Sequence, residues 1–217
     1  MKVQDFFSEG LRLVKPEYWT IFFNYIIYVL LMIVASITII GLLIVPALYM
    51  GFVKFILRAA RGEQVDIGDS MSWGFQDGTR WFDSLYFTLL LMFGIGIGFI
   101  LLLIPGFYLW VVWTLGIYLF VDKDLKPIEA LSRSRELVHE VGFWKVFLVV
   151  FSLSLGANLI SLIPYLGFLA VFFLTPVLFM IYISIYEHAI KGNSESIDAD
   201  YPIKKNTESI DADFQED

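Results

Sequence analysis

Cysteine is absent from the 217-residue chain, and charged residues are scarce, at 17% of the sequence. Without cysteine the chain can form neither a disulfide framework nor a thiolate metal site, and it has no cysteine nucleophile. An ordinary soluble domain is about 25% charged and about half apolar, whereas hydrophobic residues make up 58% of this sequence. The composition therefore excludes both an ordinary soluble globular domain and a disordered chain.

Three long segments contain no acidic or basic residue at all. They are residues 18–53, 84–121 and 146–186, with lengths of 36, 38 and 41 residues. One membrane-spanning helix needs about 20 apolar residues, so each segment is long enough for two crossings and a turn. The sequence therefore predicts an all-α integral membrane protein with six transmembrane helices.

A proline recurs near the middle of each segment. Pro46, Pro105 and Pro164 are separated by 59 residues each time, and a fixed period indicates an internal repeat. Because proline lacks the N–H that a helix interior needs, we expect three helical hairpins, each turning at its proline. The predicted spans are 19–40, 43–57, 84–103, 107–121, 143–162 and 166–186, which pair into hairpins at about 19–57, 84–121 and 143–186.

The basic residues indicate the orientation. None of the 15 lysines and arginines lies at a proline turn, and all but Lys54 and Lys145, which are each near a span end, lie before, between or after the hairpins. Cytoplasmic loops are enriched in lysine and arginine. We therefore expect a multi-pass protein of the bacterial inner membrane with both termini and both large loops in the cytoplasm.

Two segments outside the hairpins predict short amphipathic cytoplasmic helices. In residues 1–17, apolar residues beginning with Val3 and Phe6 share one helical face, which is typical of a helix in the membrane interface. Docking of this helix onto the protein's own cytoplasmic loops is the alternative. Residues 127–141 predict the second helix, because Pro127 suits a first turn and Glu129 complements the helix dipole there.

The sequence thus divides into an interfacial helix at 1–17, a six-helix membrane domain at 18–190 and an acidic tail at 191–217. Residues 193–217 carry eight acidic residues and two lysines. Such a polar, acidic composition predicts a disordered, solvated cytoplasmic tail. A site for a divalent cation is the alternative, although the ligand pattern of an EF-hand is missing.

Several short motifs lie between the spans. They are Arg61-Gly62-Glu63 followed by Asp69 and Gly74-Phe75, then Leu103-Ile104-Pro105-Gly106, and finally Asp122 followed by Glu129-Ala130-Leu131 and Ser134. In these motifs, over residues 18–188, the chain resembles bacterial six-helix membrane proteins related to the glycerophosphoryl diester phosphodiesterase membrane-domain family. The resemblance implies a six-helix membrane module, sometimes fused to a phosphodiesterase domain. A barrel of that kind needs about 250 residues of its own, so we expect no phosphodiesterase activity here.

The charge-free segments limit the chemistry available inside the membrane. Ionisable side chains there usually mark proton relays or ion-coupled sites, and these segments supply none. Asn24 and Asn158 are the neutral side chains that are costliest to expose to lipid, and we expect each to hydrogen-bond to another helix rather than to line a substrate path. The neutral polar candidates are Asn24, Thr38, Thr88, Thr114, Ser152, Ser154, Asn158, Ser161, Thr175 and Ser184.

Two further patterns concern packing and lipid. Gly94 and Gly98 form a GxxxG pair, which is typical of closely packed membrane helices. Lys54, Arg58 and Arg61 share one face at the end of the second span, at the depth of anionic lipid headgroups. They are a candidate headgroup site, although anchoring by snorkelling side chains is the interpretation we favour.

The sequence contains no arrangement typical of catalysis, of a metal site or of a cofactor. We therefore expect a non-enzymatic membrane module that organises lipids or partner proteins, with membrane lipids and a protein partner or second copy as partners, and no nucleic acid. The alternative is a transporter or permease for an apolar or amphipathic small molecule. A transporter needs a cavity lined by neutral polar groups, whereas a closely packed core would favour the organising module.

Overall fold

A computed structural model of the protein describes residues 3–14, 18–63, 72–76, 78–163 and 166–192. Every regular element in these residues is a helix, which confirms the predicted all-α class. The α-helices are α1 (Val3–Val14), α2 (Tyr18–Ser36), α3 (Ile39–Ala60), α4 (Gly78–Leu101), α5 (Leu103–Val112), α6 (Gly116–Asp122), α7 (Pro127–Val141), α8 (Phe143–Ser161) and α9 (Leu166–Gly192). A short 3-10 helix, Trp73–Phe75, precedes α4.

Six helical stretches are long and apolar enough to cross a membrane, as predicted. They are Tyr18–Ser36, Gly41–Ala60, Gly78–Leu101, Leu103–Asp122, Phe143–Ser161 and Phe172–Gly192. The fourth stretch is interrupted, because α5 ends at Val112 and α6 begins at Gly116. The sequence did not predict this break, which becomes important at the functional site.

The prediction that the first hairpin turns at Pro46 is wrong. Pro46 lies inside α3, and the chain turns earlier, at Ile37 and Thr38. The hydroxyl of Thr38 caps α3 by accepting a hydrogen bond from the backbone N–H of Gly41 at 3.0 Å. A polar cap therefore begins the second helix, and α3 continues past a proline that was expected to precede it.

The second predicted turn, at Pro105, also comes earlier in the chain than expected. The helices are interrupted at Leu102, and Pro105 lies three residues later, in the first turn of α5. Proline is tolerated there because the first N–H groups of a helix have no intrahelical acceptor. Pro164, Asp69 and the acidic tail at 193–217 lie outside the described residues.

The six spans divide into three inner and three outer helices. Within the apolar windows of α3, α5–α6 and α9, 61%, 50% and 44% of the residues are buried, against 22%, 17% and 22% in α2, α4 and α8. Each outer helix packs against the inner helix that follows it in the chain. The inner helices α3, α5–α6 and α9 therefore form the centre of the protein.

The N-terminal helix α1 packs against α9. The side chain of Phe6 is fully buried, and its ring lies edge-on to His188 with 5.5 Å between the ring centroids. The hydroxyl of Ser184 donates a hydrogen bond to the carbonyl oxygen of Phe6 at 3.0 Å. On another side of α1, Leu11 remains exposed. The helix is thus docked on the protein, and its partner is a long apolar helix instead of a loop.

Candidate functional site

The interruption of the fourth span is stabilised by two hydroxyl groups. In an unbroken helix the carbonyl oxygens before the break would accept N–H groups one turn later. Here the Thr114 hydroxyl donates to the carbonyl oxygen of Trp110 at 2.8 Å, and the Ser134 hydroxyl donates to that of Val112 at 2.6 Å. Ser134 belongs to α7 and is fully buried, so α7 directly supports the break.

A cavity of about 380 Å³ lies beside this break, between α3, α4, α5–α6 and α9. Half of its lining residues are aromatic. These are Tyr49, Trp110, Trp113, Tyr118, Phe179 and Tyr182. The remaining walls are aliphatic, apart from Thr114 and Thr175. The volume falls within the range of about 300–1,000 Å³ that is usual for small-molecule sites.

The cavity is formed by the middle parts of its helices. Tyr49 is near the centre of Gly41–Ala60, and Leu91 is near the centre of Gly78–Leu101. Thr114, within the break, is near the centre of Leu103–Asp122. These three residues place part of the cavity wall near the middle of three spans.

The cavity is electrically neutral. No aspartate, glutamate, histidine, lysine or arginine is among the lining residues in the described part of the chain. Its polar groups are the hydroxyls of tyrosine and threonine, which can both donate and accept hydrogen bonds. The arrangement can hold an apolar body and orient an uncharged polar group on it.

Glycines let α4 and α5 approach each other at one wall of the cavity. A Cβ atom added to Gly94 would overlap the ring of Trp113, and one added to Gly98 would lie 3.0 Å from the Cα of Gly106. Trp113 therefore occupies the space that Gly94 leaves open. The two glycines of the GxxxG pair lie at the contact between these helices.

A second feature, which we call the charge cluster, consists of Arg61, Asp122, Tyr186 and Glu187. The Nη1 and Nη2 atoms of Arg61 lie 2.5 and 2.8 Å from the two carboxylate oxygens of Asp122. The Nε of Arg61 also donates to Glu187 at 2.8 Å, and the Tyr186 hydroxyl donates to Asp122 at 2.8 Å. The cluster joins the end of α3 to the end of α6 and to α9.

The charge cluster is partly shielded from solvent. The side chain of Asp122 is only 8% exposed, while those of Arg61 and Glu187 are 33% and 23% exposed. The hydrogen bond to Asp122 is the largest influence that raises the pKa of the Arg61 guanidinium above its ordinary value. Arginine is protonated at ordinary pH values in any case, so Arg61 carries a lasting positive charge.

The cluster and the cavity are one helical turn apart. Tyr118 of the cavity precedes Asp122 by four residues on α6, and Tyr182 precedes Tyr186 by four residues on α9. The rings of Tyr118 and Tyr186 lie against each other, with 5.5 Å between their centroids. The same inner helices thus carry a neutral site and, one turn further on, an ionic one.

The three basic residues of the candidate headgroup site all have partners within the chain. Lys54 donates to the carbonyl oxygen of Val121 at 3.1 Å, and Arg58 pairs with Glu63 at 2.8 Å. Arg61 belongs to the charge cluster. A lipid headgroup at this face would therefore have to share or replace these contacts, and the headgroup site stays a prediction.

In the motif of Arg61-Gly62-Glu63, Asp69 and Gly74-Phe75, both glycines occupy positions that favour glycine. Gly62 has a positive φ of 75°, a conformation that favours glycine. Gly74 lies in the 3-10 helix, where an added Cβ would be 2.5 Å from the carbonyl oxygen of Ala47. Phe75 is 41% exposed.

We expected the side chains of Asn24 and Asn158 to hydrogen-bond to other helices. For the amide nitrogen of each side chain this prediction is wrong. Each side-chain nitrogen donates at 2.7 Å to the carbonyl four residues earlier in its own helix, that of Thr20 or of Ser154. A short polar side chain in a helix can satisfy its donor locally in this way. Neither asparagine lines the cavity.

Two of the neutral polar residues named from the sequence, Thr114 and Thr175, do line the cavity. The aromatic residues were missed, because they lie in uniformly apolar segments where large side chains are expected everywhere. A weak signal exists in the spacing of Trp110, Thr114 and Tyr118, which recur every four residues on one face. Glu187 was also missed, although it is the first charged residue after the third segment.

The chain was compared with known protein families, with curated proteins and with solved structures, and none of them matches it. Within the described residues, no group of three or more histidine, aspartate or glutamate side chains is arranged to hold a metal ion. A proposal about the function therefore has to rest on the geometry of the cavity and of the charge cluster.

Proposed function

We propose that the protein is a non-enzymatic membrane protein that holds an apolar or amphipathic small molecule in the central cavity, as a transporter or permease does. The observation that carries this proposal is the neutral cavity of about 380 Å³ between the middle parts of four spans. A closely packed core at this position would have favoured a purely organising module. The cavity instead supports the transporter interpretation of the sequence.

The interrupted fourth span adds support. Membrane transporters commonly build their binding sites where helices are discontinuous, because irregular backbone is tolerated only where it is buried or lines a cavity. Here the break between α5 and α6 contributes Trp113 and Thr114 to the cavity wall. The hydroxyls of Thr114 and Ser134 occupy the carbonyl groups that the break leaves open.

Native mass spectrometry of the detergent-extracted protein tests the proposal. The variant Leu91→Trp places a large ring in the cavity, since Leu91 is one of its lining residues. We expect a small molecule to co-purify with the unchanged protein and to be absent from Leu91→Trp. The variant should remain folded, because the ring fills space that is already open.

The matched control is Leu89→Trp on the same helix. Leu89 is 40% exposed and is not a lining residue, so this variant should keep the bound mass. Equal small-molecule occupancy in Leu91→Trp, Leu89→Trp and the unchanged protein would contradict the proposal. Loss from both variants would contradict it as well, because the effect would then not belong to the cavity.

Organisation of lipids or partner proteins is the second candidate function. This function is supported by α1, one side of which packs against α9. Leu11 and the side chain of Arg12 on this helix are exposed, at 49% and 82%. An apolar residue next to a basic one is suited to a membrane surface. In the same experiment, phospholipid that stays bound to Leu91→Trp and Leu89→Trp alike would favour this function.

We also propose the topology that the charges predict, with three hairpins, both termini in the cytoplasm and the helices in a bacterial inner membrane. Since the chain has no cysteine, single cysteines report sidedness directly. Cysteine at the exposed Ile104 should react only from outside, and cysteine at the exposed Ser132 only from inside. Labelling of both from one side would refute the arrangement.

A further inference from the structure

We infer that the cavity takes an uncharged ring compound that carries a hydroxyl or carbonyl group. This inference rests on the proposed function and narrows it to a chemical class. Three properties of the wall, namely its lack of charge, its aromatic content and its hydroxyl groups, each disfavour a different alternative ligand.

The absence of aspartate, glutamate, histidine, lysine and arginine from the described lining disfavours a charged ligand. A charge moved into a low-dielectric site without a counter-charge loses its hydration and gains no ion pair in return. The nearest charged residue on α6 is Asp122, which is paired with Arg61. On α3 the nearest is Lys54, whose ammonium donates to the carbonyl oxygen of Val121. None of these side chains lines the cavity, so none is placed to pair with a molecule inside it.

The aromatic lining favours a flat ring over a flexible chain. Aromatic rings gain from offset-stacked or edge-to-face contact with another ring, beyond the area that the contact buries. Trp113 is held against Gly94, so its ring forms a fixed part of the wall. An acyl chain would gain nothing specific from these surfaces and would lose its conformational freedom.

The hydroxyl groups favour a ligand with its own hydrogen-bonding group. The otherwise apolar wall contains five side chains with hydroxyl groups, namely Tyr49, Tyr118, Tyr182, Thr114 and Thr175. Small-molecule sites typically combine apolar walls with a few polar groups that fix the orientation of the ligand. A hydroxyl or carbonyl on the ring can use such groups without carrying a charge.

Four probes separate these alternatives: 2-naphthol, naphthalene, 1-decanol and phenyltrimethylammonium. Each is measured by equilibrium dialysis against the full chain in nanodiscs, with empty nanodiscs subtracted. We expect 2-naphthol to bind about tenfold more tightly than each of the other three, since one good aromatic contact or hydrogen bond accounts for about that factor. Tyr118→Phe should weaken 2-naphthol but leave naphthalene unchanged.

The matched pair of variants for the ring contact is Trp113→Leu and Trp144→Leu. Trp113 lines the cavity, whereas Trp144 is 71% exposed on the outside of α8. Only Trp113→Leu should weaken 2-naphthol. An equal loss in both variants would refute the assigned position of the ring.

The results that would overturn the inference are specific. Tightest binding of phenyltrimethylammonium would identify an aromatic cage for a cation, and equal binding of 1-decanol would identify a site for chains. If phenyltrimethylammonium or 1-decanol gives such a result and Leu91→Trp abolishes its binding, the inferred ligand class is wrong, but the proposal that the cavity binds a small molecule stands. If no probe binds, the inference fails, and the co-purified mass alone decides the proposed function.

Discussion

The cavity and the charge cluster are one helical turn apart on the same helices, yet they are made of opposite kinds of side chain. In the charge cluster, Arg61 uses both ends of its guanidinium, and Asp122 accepts from Arg61 and from Tyr186. In the cavity, hydroxyls border open space. Ionised groups near a membrane interior are costly unless they are paired, whereas neutral hydroxyls can line a site at much lower cost. The paired charges of the cluster therefore join helices, whereas the uncharged cavity wall borders an open site.

The comparison predicts different consequences for substitutions in the two regions. The cluster ties together the ends of α3, α6 and α9, which are inner helices of the protein. Substitutions there should lower stability first. Substitutions in the cavity wall, such as Leu91→Trp, should change binding with little change in stability.

The largest expected effect comes from Arg61→Gln. It removes the arginine that pairs with Asp122 and leaves this nearly buried carboxylate, which is 8% exposed, without that ion pair. Breaking a buried pair costs about 3–5 kcal/mol, and the partial exposure of Arg61 puts the expected loss at about 3 kcal/mol. SDS titration of the purified protein measures this loss as a lower free energy of unfolding.

Arg58→Gln is the control for that measurement. Arg58 lies one turn earlier on α3 and pairs with Glu63, whose side chain is 46% exposed. An exposed pair of this kind contributes about 0–1 kcal/mol, so Arg58→Gln should change stability little. Similar losses in the two variants would mean that the cluster is no more important than an ordinary surface ion pair, and the contrast between the two regions would fail.

The sequence predicted some of these features because their cause is local. The charge-free segments identified six spans, since the length and composition of a span are fixed by the thickness of the membrane. The helix at Pro127–Val141 was also predicted with its observed bounds, because proline and glutamate in its first turn are local signals. The prediction of a turn at Pro46 was wrong, because a helix can tolerate proline where neighbouring contacts compensate for the lost hydrogen bond.

Features that depend on contact between distant segments were not predictable. Arg61 and Asp122 were each noticed as motif residues, but nothing in their spacing indicates that they pair across 61 positions. The cavity combines residues from four spans, and each of them alone is an unremarkable apolar residue. The break at residues 113–115 was hidden because Trp113, Thr114 and Leu115 occur as readily in continuous membrane helices.

A smaller effect is expected on the cavity side of the comparison, from Ser134→Ala. The hydroxyl of Ser134 is the group on α7 that bonds to the carbonyl oxygen of Val112 where α5 ends. Because Ser134 is fully buried, its removal leaves that oxygen without this partner, which costs about 1–2 kcal/mol. We expect a loss of that size in the free energy of unfolding, below the loss for Arg61→Gln, together with weaker binding in the cavity beside the break.

Ser132→Ala is the matched control, since Ser132 lies on the same helix two residues earlier and is exposed. It should leave both stability and binding unchanged. If Ser134→Ala behaves like Ser132→Ala, the break does not depend on α7, and the cavity wall is held by the membrane spans alone. If it instead lowers stability as much as Arg61→Gln, the neutral region contributes as much to holding the helices together as the ionic one, and the division of roles between them is wrong.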